Sequence, residues 1–193
     1  MSGSLDERDL LGQAAAELAR NPRASTETLA RACGISRATL NRKFASRRAL
    51  LEAIARDALD RVDEIAAETP ETESAADYLR AILESLIVLG DRFRVMDQDP
   101  DIERLPEIQK RLEKQRSEST ELARALKAEG DLDPAVPDAF FTAALDGLLF
   151  SAWAAIADGS LALRDAPALI HRTLLRGLQP PPNSPADNKR SKK

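Results

Sequence analysis

The sequence has little to do chemistry with. It holds one cysteine (Cys33), one histidine (His171), one tryptophan, one tyrosine and five phenylalanines in 193 residues. A single cysteine excludes an intrachain disulfide framework. Its place on an apolar helical stripe reads as a small buried hydrophobe. His171 has no serine or cysteine motif near it and reads as a surface or interface residue. There is no glycine-rich phosphate loop, no nucleophile elbow and no metal-ligand spacing. The expectation is therefore a protein that is not an enzyme and has neither metal nor cofactor. Asp97, Asp99 and Asp101 are spaced like the opening of a calcium loop, but Ile102, Ile108 and Pro100 break the rest of that pattern. They read as a solvated acidic loop. Aromatics make up only 4% of the chain and alternating β-branched runs are almost missing, which favours an all-α fold. The opening MSGSLDERD is polar and acidic, unlike a signal peptide. The longest apolar runs are interrupted by Glu84 or Asp146 and read as too short to span a bilayer. The expected compartment is cytoplasmic, with no membrane partner.

What is there begins at Ser25. The stretch STETLARACGISRATLNRKFASRR reads as two short helices joined by a tight turn. Ser25 or Thr26 caps the first helix, and Leu29, Ala30 and Cys33 supply its apolar stripe. Gly34 permits the positive φ that ends it. Ile35 is expected as a buried plug, and Ser36 caps the second helix, which turns Leu40 and Phe44 inward. The opposite face shows Arg37, Ala38, Thr39, Asn41, Arg42 and Lys43. Between Arg23 and Arg48 there are seven cations and one anion, a local +6 within a chain of formal net charge −4. A cationic helix on an acidic protein is the footprint of a face that meets phosphates, and a short polar helix suits the DNA major groove.

The segment TLARACGISRATLNRKFASRRALLEAI resembles the N-terminal DNA-binding domain of TetR-type transcriptional repressors. The match rests on Leu29-Ala30, Ala32, Gly34-Ile35-Ser36, Thr39-Leu40, Phe44, Ser46 and Ala49-Leu50. Asn41 departs from the usual tyrosine, Lys43 from tyrosine or histidine, and Arg47 from lysine. The resemblance implies a three-helix DNA-binding bundle, a homodimer built on the last two helices, a small-molecule effector, and a linking helix that tilts when the effector binds. It does not specify the effector.

The rest of the chain reads as helices. Asp6 caps a first helix through Arg20, stopped by Asn21-Pro22. Further helices are expected over about 47–68, 71–90, 106–129, 137–158 and 165–178, with residues 91–105 irregular. Ala125, Ala168, Leu169, Leu174, Leu175 and Leu178 are placed on inner faces. The expected architecture is an all-α chain of about nine helices. Residues 1–46 form the helix-turn-helix domain, 47–178 a ligand-binding and dimerisation domain, and 179–193 a proline-rich, basic, disordered tail.

The functional expectation is a ligand-responsive repressor that binds an inverted repeat in double-stranded DNA as a homodimer. The alternative is an all-helical protein-interaction module. Thr39, Asn41 and Arg37 are assigned to base edges, with Ala38 beside them. Thr26, Arg42, Lys43 and Arg47 are assigned to phosphates. Candidates for a ligand pocket are Tyr78, Phe93, Met96, Phe141, Asp146, Phe150 and Trp153, with Phe140, Arg92 and Arg94 as further candidates. Phe140 to Ile156 is apolar nearly all round, so this helix needs partners on more than one side.

Overall fold

A computed structural model describes residues 6–96 and 98–177. Among the described residues there are nine α-helices and no strand: α1 (Glu7–Arg20), α2 (Thr26–Ala32), α3 (Arg37–Lys43), α4 (Arg47–Glu68), α5 (Ala75–Leu86), α6 (Gly90–Met96), α7 (Pro106–Glu129), α8 (Asp138–Ala157) and α9 (Ala166–Gly177). Short 3-10 turns precede α6 and α9. The expectations for Leu178, Asp97 and the 179–193 tail lie outside the described residues.

The described residues fall into two compact units, one within residues 6–64 and 88–112 and the other within residues 65–87 and 113–177. In the first, α1 packs on α2 and α6, and α2 packs on α3. Leu10, Ala14, Leu18, Ile54, Leu59, Val95, Ile102 and Ile108 form its core. Ile35 and Phe44 pack against this core but are only partly buried, so Ile35 is not the fully buried plug expected.

Helix α6 is a difference from the expected irregular stretch. The break falls in the 3-10 turn Ile87–Leu89, and Gly90 opens a new helix that buries Val95 and Met96. Arg92 on α6 donates from Nε to Asp57 Oδ2 on α4 at 2.6 Å, and Asp57 is only 5% exposed. A Cβ added to Gly12 on α1 would lie 2.9 Å from Arg92 Nη2, so glycine leaves room for that guanidinium. On the surface of the same unit, Arg111 binds Asp60 at 2.5 Å and Asp63 at 2.6 Å. Glu64 takes both Arg8 and Arg61, which hold its carboxyl below the usual range.

In the second unit α9 packs on α5 and α8. Leu79, Leu83, Phe141, Leu145, Leu149, Trp153, Ile170 and Leu174 are buried. The Trp153 indole donates to the Ile87 carbonyl at 3.0 Å, so the polar end of a buried ring is satisfied. His171 is not on the open surface: it is half-buried, and its Nε2–H donates to the Ala76 carbonyl at 2.9 Å, tying α9 to α5. Ala125, Ala168 and Leu169, expected inward, are exposed; each lies at the edge of an apolar stripe that only packing could delimit.

Helix α8 also corrects the bilayer argument. Its 20 residues, Asp138–Ala157, are long and apolar enough by length and composition to cross a membrane. An apolar run counted around Asp146 alone leaves out Phe140 and Phe141. Six residues of α8 are buried in the unit's core.

Candidate nucleic-acid interface

The hairpin is built from the bottom up by its caps. Ser25 Oγ accepts from the Thr28 N–H at 3.1 Å, closing the start of α2. Gly34, at φ 63°, takes the left-handed conformation. The Gly34 N–H then reaches the Arg31 carbonyl at 3.1 Å and the Ile35 N–H reaches the Ala30 carbonyl at 3.0 Å. This paired closure ends α2 and re-aims the chain. Ser36 Oγ accepts from the Thr39 N–H at 3.0 Å and starts α3. Leu29, Ala30, Cys33 and Leu40 point into the core. The Cys33 thiol donates to the Leu10 carbonyl at 3.6 Å, and burial pushes its pKa up, which keeps it neutral.

The outer face of α3 is open. Arg37, Ala38, Asn41, Arg42 and Lys43 are exposed, and Thr39 is half-buried with its hydroxyl on Ser36 Oγ at 2.9 Å. Ala38 and Arg42, four residues apart, lie on the line opposite Leu40 and Phe44. Arg37 and Asn41 flank it on one side, Thr39 and Lys43 on the other. Arg37, Asn41 and Arg42 have no hydrogen-bond or ion-pair partner among the described residues. Lys43 meets Glu7 of α1 at 3.3 Å, an exposed pair of little strength. Thr26 is exposed in the first turn of α2.

Arg47, also assigned to phosphate, is engaged in hydrogen bonds within its own unit. Its Nη1 donates to the Ala24 carbonyl at 3.0 Å, and its Nη2 donates to the Pro22 carbonyl and to Gln98 Oε1, the latter at 3.2 Å. Arg48 donates to Glu52 at 3.0 Å and faces Asp99 at 3.7 Å; those carboxylates raise its pKa and secure its charge. No sequence signal marks Gln98 as a partner of Arg47, because the two are joined only by folding.

The candidate pocket residues divide between the units. Phe93 and Met96 belong with the core of the first, together with α1 and α4. Tyr78, Phe141, Asp146, Phe150 and Trp153 belong to the second. Phe141 and Trp153 are buried and Tyr78 is half-buried. Phe150 stands edge-on to Trp153, with ring centroids 5.3 Å apart, and is 42% exposed. Asp146 is open to solvent on one side, yet its surroundings desolvate it and push its carboxyl up, partly offset by Arg116.

A capped helix pair with an open cationic second helix, set on an all-α chain, is a helix-turn-helix. Residues 10–54 match the model of the bacterial regulatory proteins, tetR family. Solved structures agree in fold. LfrR, a TetR-like transcriptional regulator from Mycobacterium smegmatis solved in complex with proflavine, is 24% identical, with TM-score 0.73 over 90% of this chain and 96% of that one. The TetR-family regulator PfmR from Thermus thermophilus is 19% identical, with TM-score 0.68 over 91% of this chain and 100% of that one. The ketosteroid regulator KstR2 of Mycobacterium tuberculosis is 17% identical, with TM-score 0.68 over 92% and 97%. No curated protein sequence matches the chain.

Proposed function

We propose that this protein is a ligand-responsive transcriptional repressor that binds an inverted-repeat operator as a homodimer and leaves it when a small molecule binds. The observation that carries the reading is the open face of α3, where Arg37, Asn41 and Arg42 project without partners from a helix fixed by its cap and two inward-facing apolar residues. Such a helix is preorganised for base edges in the major groove. Thr39, Asn41 and Arg37 read bases with Ala38 against them, while Thr26, Arg42 and Lys43 hold phosphates. Residues 1–46 are the reading head, and 47–178 carry dimerisation and ligand binding.

The dimer forms on α8 and α9. Phe140 is 55% exposed, Phe150 42% and Leu169 39%; Ala143, Gly147 and Ala154 continue the stripe on α8. A Cβ at Gly147 would meet nothing within 4 Å, so this line is open to another helix. Pairing would set two copies of α3 about 34–36 Å apart, one turn of duplex. Tyr78, Phe141 and Trp153 of the second unit are the aromatic groups assigned to a small-molecule effector, a reading supported by the similar LfrR, which was solved in complex with proflavine. A regulator of this kind works in the cytoplasm, where bacterial DNA is, and does no chemistry of its own.

The test is selection of random duplexes on the purified protein, followed by sequencing. An enriched inverted repeat is expected, with binding that weakens steeply as salt rises. A folded dimer that enriches nothing would point instead to a protein-interaction module.

A further inference from the structure

The loop that joins α1 to α2 is short of donors. Residue 22 is proline, so the Leu18 carbonyl, four residues earlier, cannot receive the usual helical N–H. The Pro22 and Ala24 carbonyls follow in the same loop. Two side chains from far along the chain take all three. Gln98, just beyond α6, donates from Nε2 to the Leu18 carbonyl at 3.1 Å. Arg47, the first residue of α4, donates to the Ala24 carbonyl at 3.0 Å and to the Pro22 carbonyl. The two clamping residues are bonded to each other, Arg47 Nη2 to Gln98 Oε1, at 3.2 Å. The planar guanidinium fork suits this, since it can serve two carbonyls and an amide oxygen at once.

We propose that Arg47 and Gln98 form a clamp that positions the α1–α2 loop for DNA binding, rather than Arg47 acting as a phosphate contact. The loop they hold carries Arg23, the cap Ser25 and then Thr26, so the clamp sets where the phosphate-facing start of α2 stands. It ties that placement to the segment after α6. This assignment rests on the DNA-binding reading above.

The experiment measures binding of the full-length protein to a labelled mixed-sequence duplex of about 25 base pairs, across a salt series, by fluorescence anisotropy. Gln98→Met keeps length and neutrality but removes both hydrogen bonds. It is expected to weaken binding about three- to tenfold, the scale of one or two lost hydrogen bonds, with an unchanged salt slope and a cooperative melt. Arg47→Met should lose a similar factor, and the double variant no more than the worse single, since the pair acts as one unit. Gln98→Glu, which keeps an acceptor for Arg47, should recover part of the loss. If Arg47→Met flattens the slope by about 0.9 per site while Gln98→Met binds like wild type, Arg47 is a phosphate contact and the clamp is wrong. A wild-type protein that binds no duplex overturns the DNA-binding reading and this assignment with it.

Discussion

The two units are held together by different means. In the first, arginines pin one helix to another: Arg92 to Asp57, Arg111 to Asp60 and Asp63, Arg8 to Glu64, Arg47 to the loop before α2. In the second, charged pairs gather at helix starts, such as Lys127 with Asp138 in the first turn of α8, and the body is apolar contact around Trp153. The first unit presents a polar face on α3, and the second leaves Phe140 and Phe150 uncovered. The contrast matches two demands of the proposed function. Reading a duplex needs donors held in fixed directions, whereas pairing with another helix needs area and close approach.

The strongest way to break the contrast is to put charge on the apolar face. Phe140→Glu with Phe150→Glu should turn a dimer into a monomer in sedimentation. Affinity for an inverted repeat should then fall about 10²–10⁴-fold, because the second half-site contact ceases to be intramolecular. The counterpart in the first unit is Arg92→Ala, which strands the buried Asp57 carboxylate. It should cost about 3–5 kcal/mol in denaturant unfolding, the scale for removing one partner of a buried pair.

Smaller effects sharpen the reading face. Asn41→Ala should reduce discrimination between operator variants by about 1–3 kcal/mol, while Lys43→Ala weakens all duplexes alike and lowers the salt slope by about one. Identical, sequence-independent losses in both would remove Asn41 from base reading. The smallest effect is in pH. Glu64 is held below its ordinary pKa by Arg8 and then Arg61. Its contribution is therefore complete above the ordinary carboxylate range and is lost as pH falls through its lowered folded pKa. Thermal melts of Glu64→Gln and wild type should converge in acid and separate slightly above it; a gap that widens in acid would contradict the assignment.

Much of this is legible along the chain because it is local. The caps Ser25 and Ser36, the positive φ of Gly34 and the bounds of α4 and α7 follow from neighbours a few residues away. Helix α6 is not legible. Seven residues opened by a glycine are too few for periodicity to announce, and what makes them a helix is burial of Val95 and Met96 beside α1. Leu169 misleads for the complementary reason: its spacing fits an inner stripe, but α5 and α8 cover only part of that stripe.

By itself, then, the sequence determined an all-helical chain, a capped helix-turn-helix and a cationic face on its second helix, since each depends on residues within one or two turns. Only the tertiary structure decided which cations remain open. Arg37 and Arg42 project from a surface helix, whereas Arg47 is drawn to carbonyls that Pro22 and the loop leave without backbone donors. A side chain's hydrogen-bond partners are set by what folding brings within about 3 Å, and Gln98 lies 51 positions away from Arg47 along the chain.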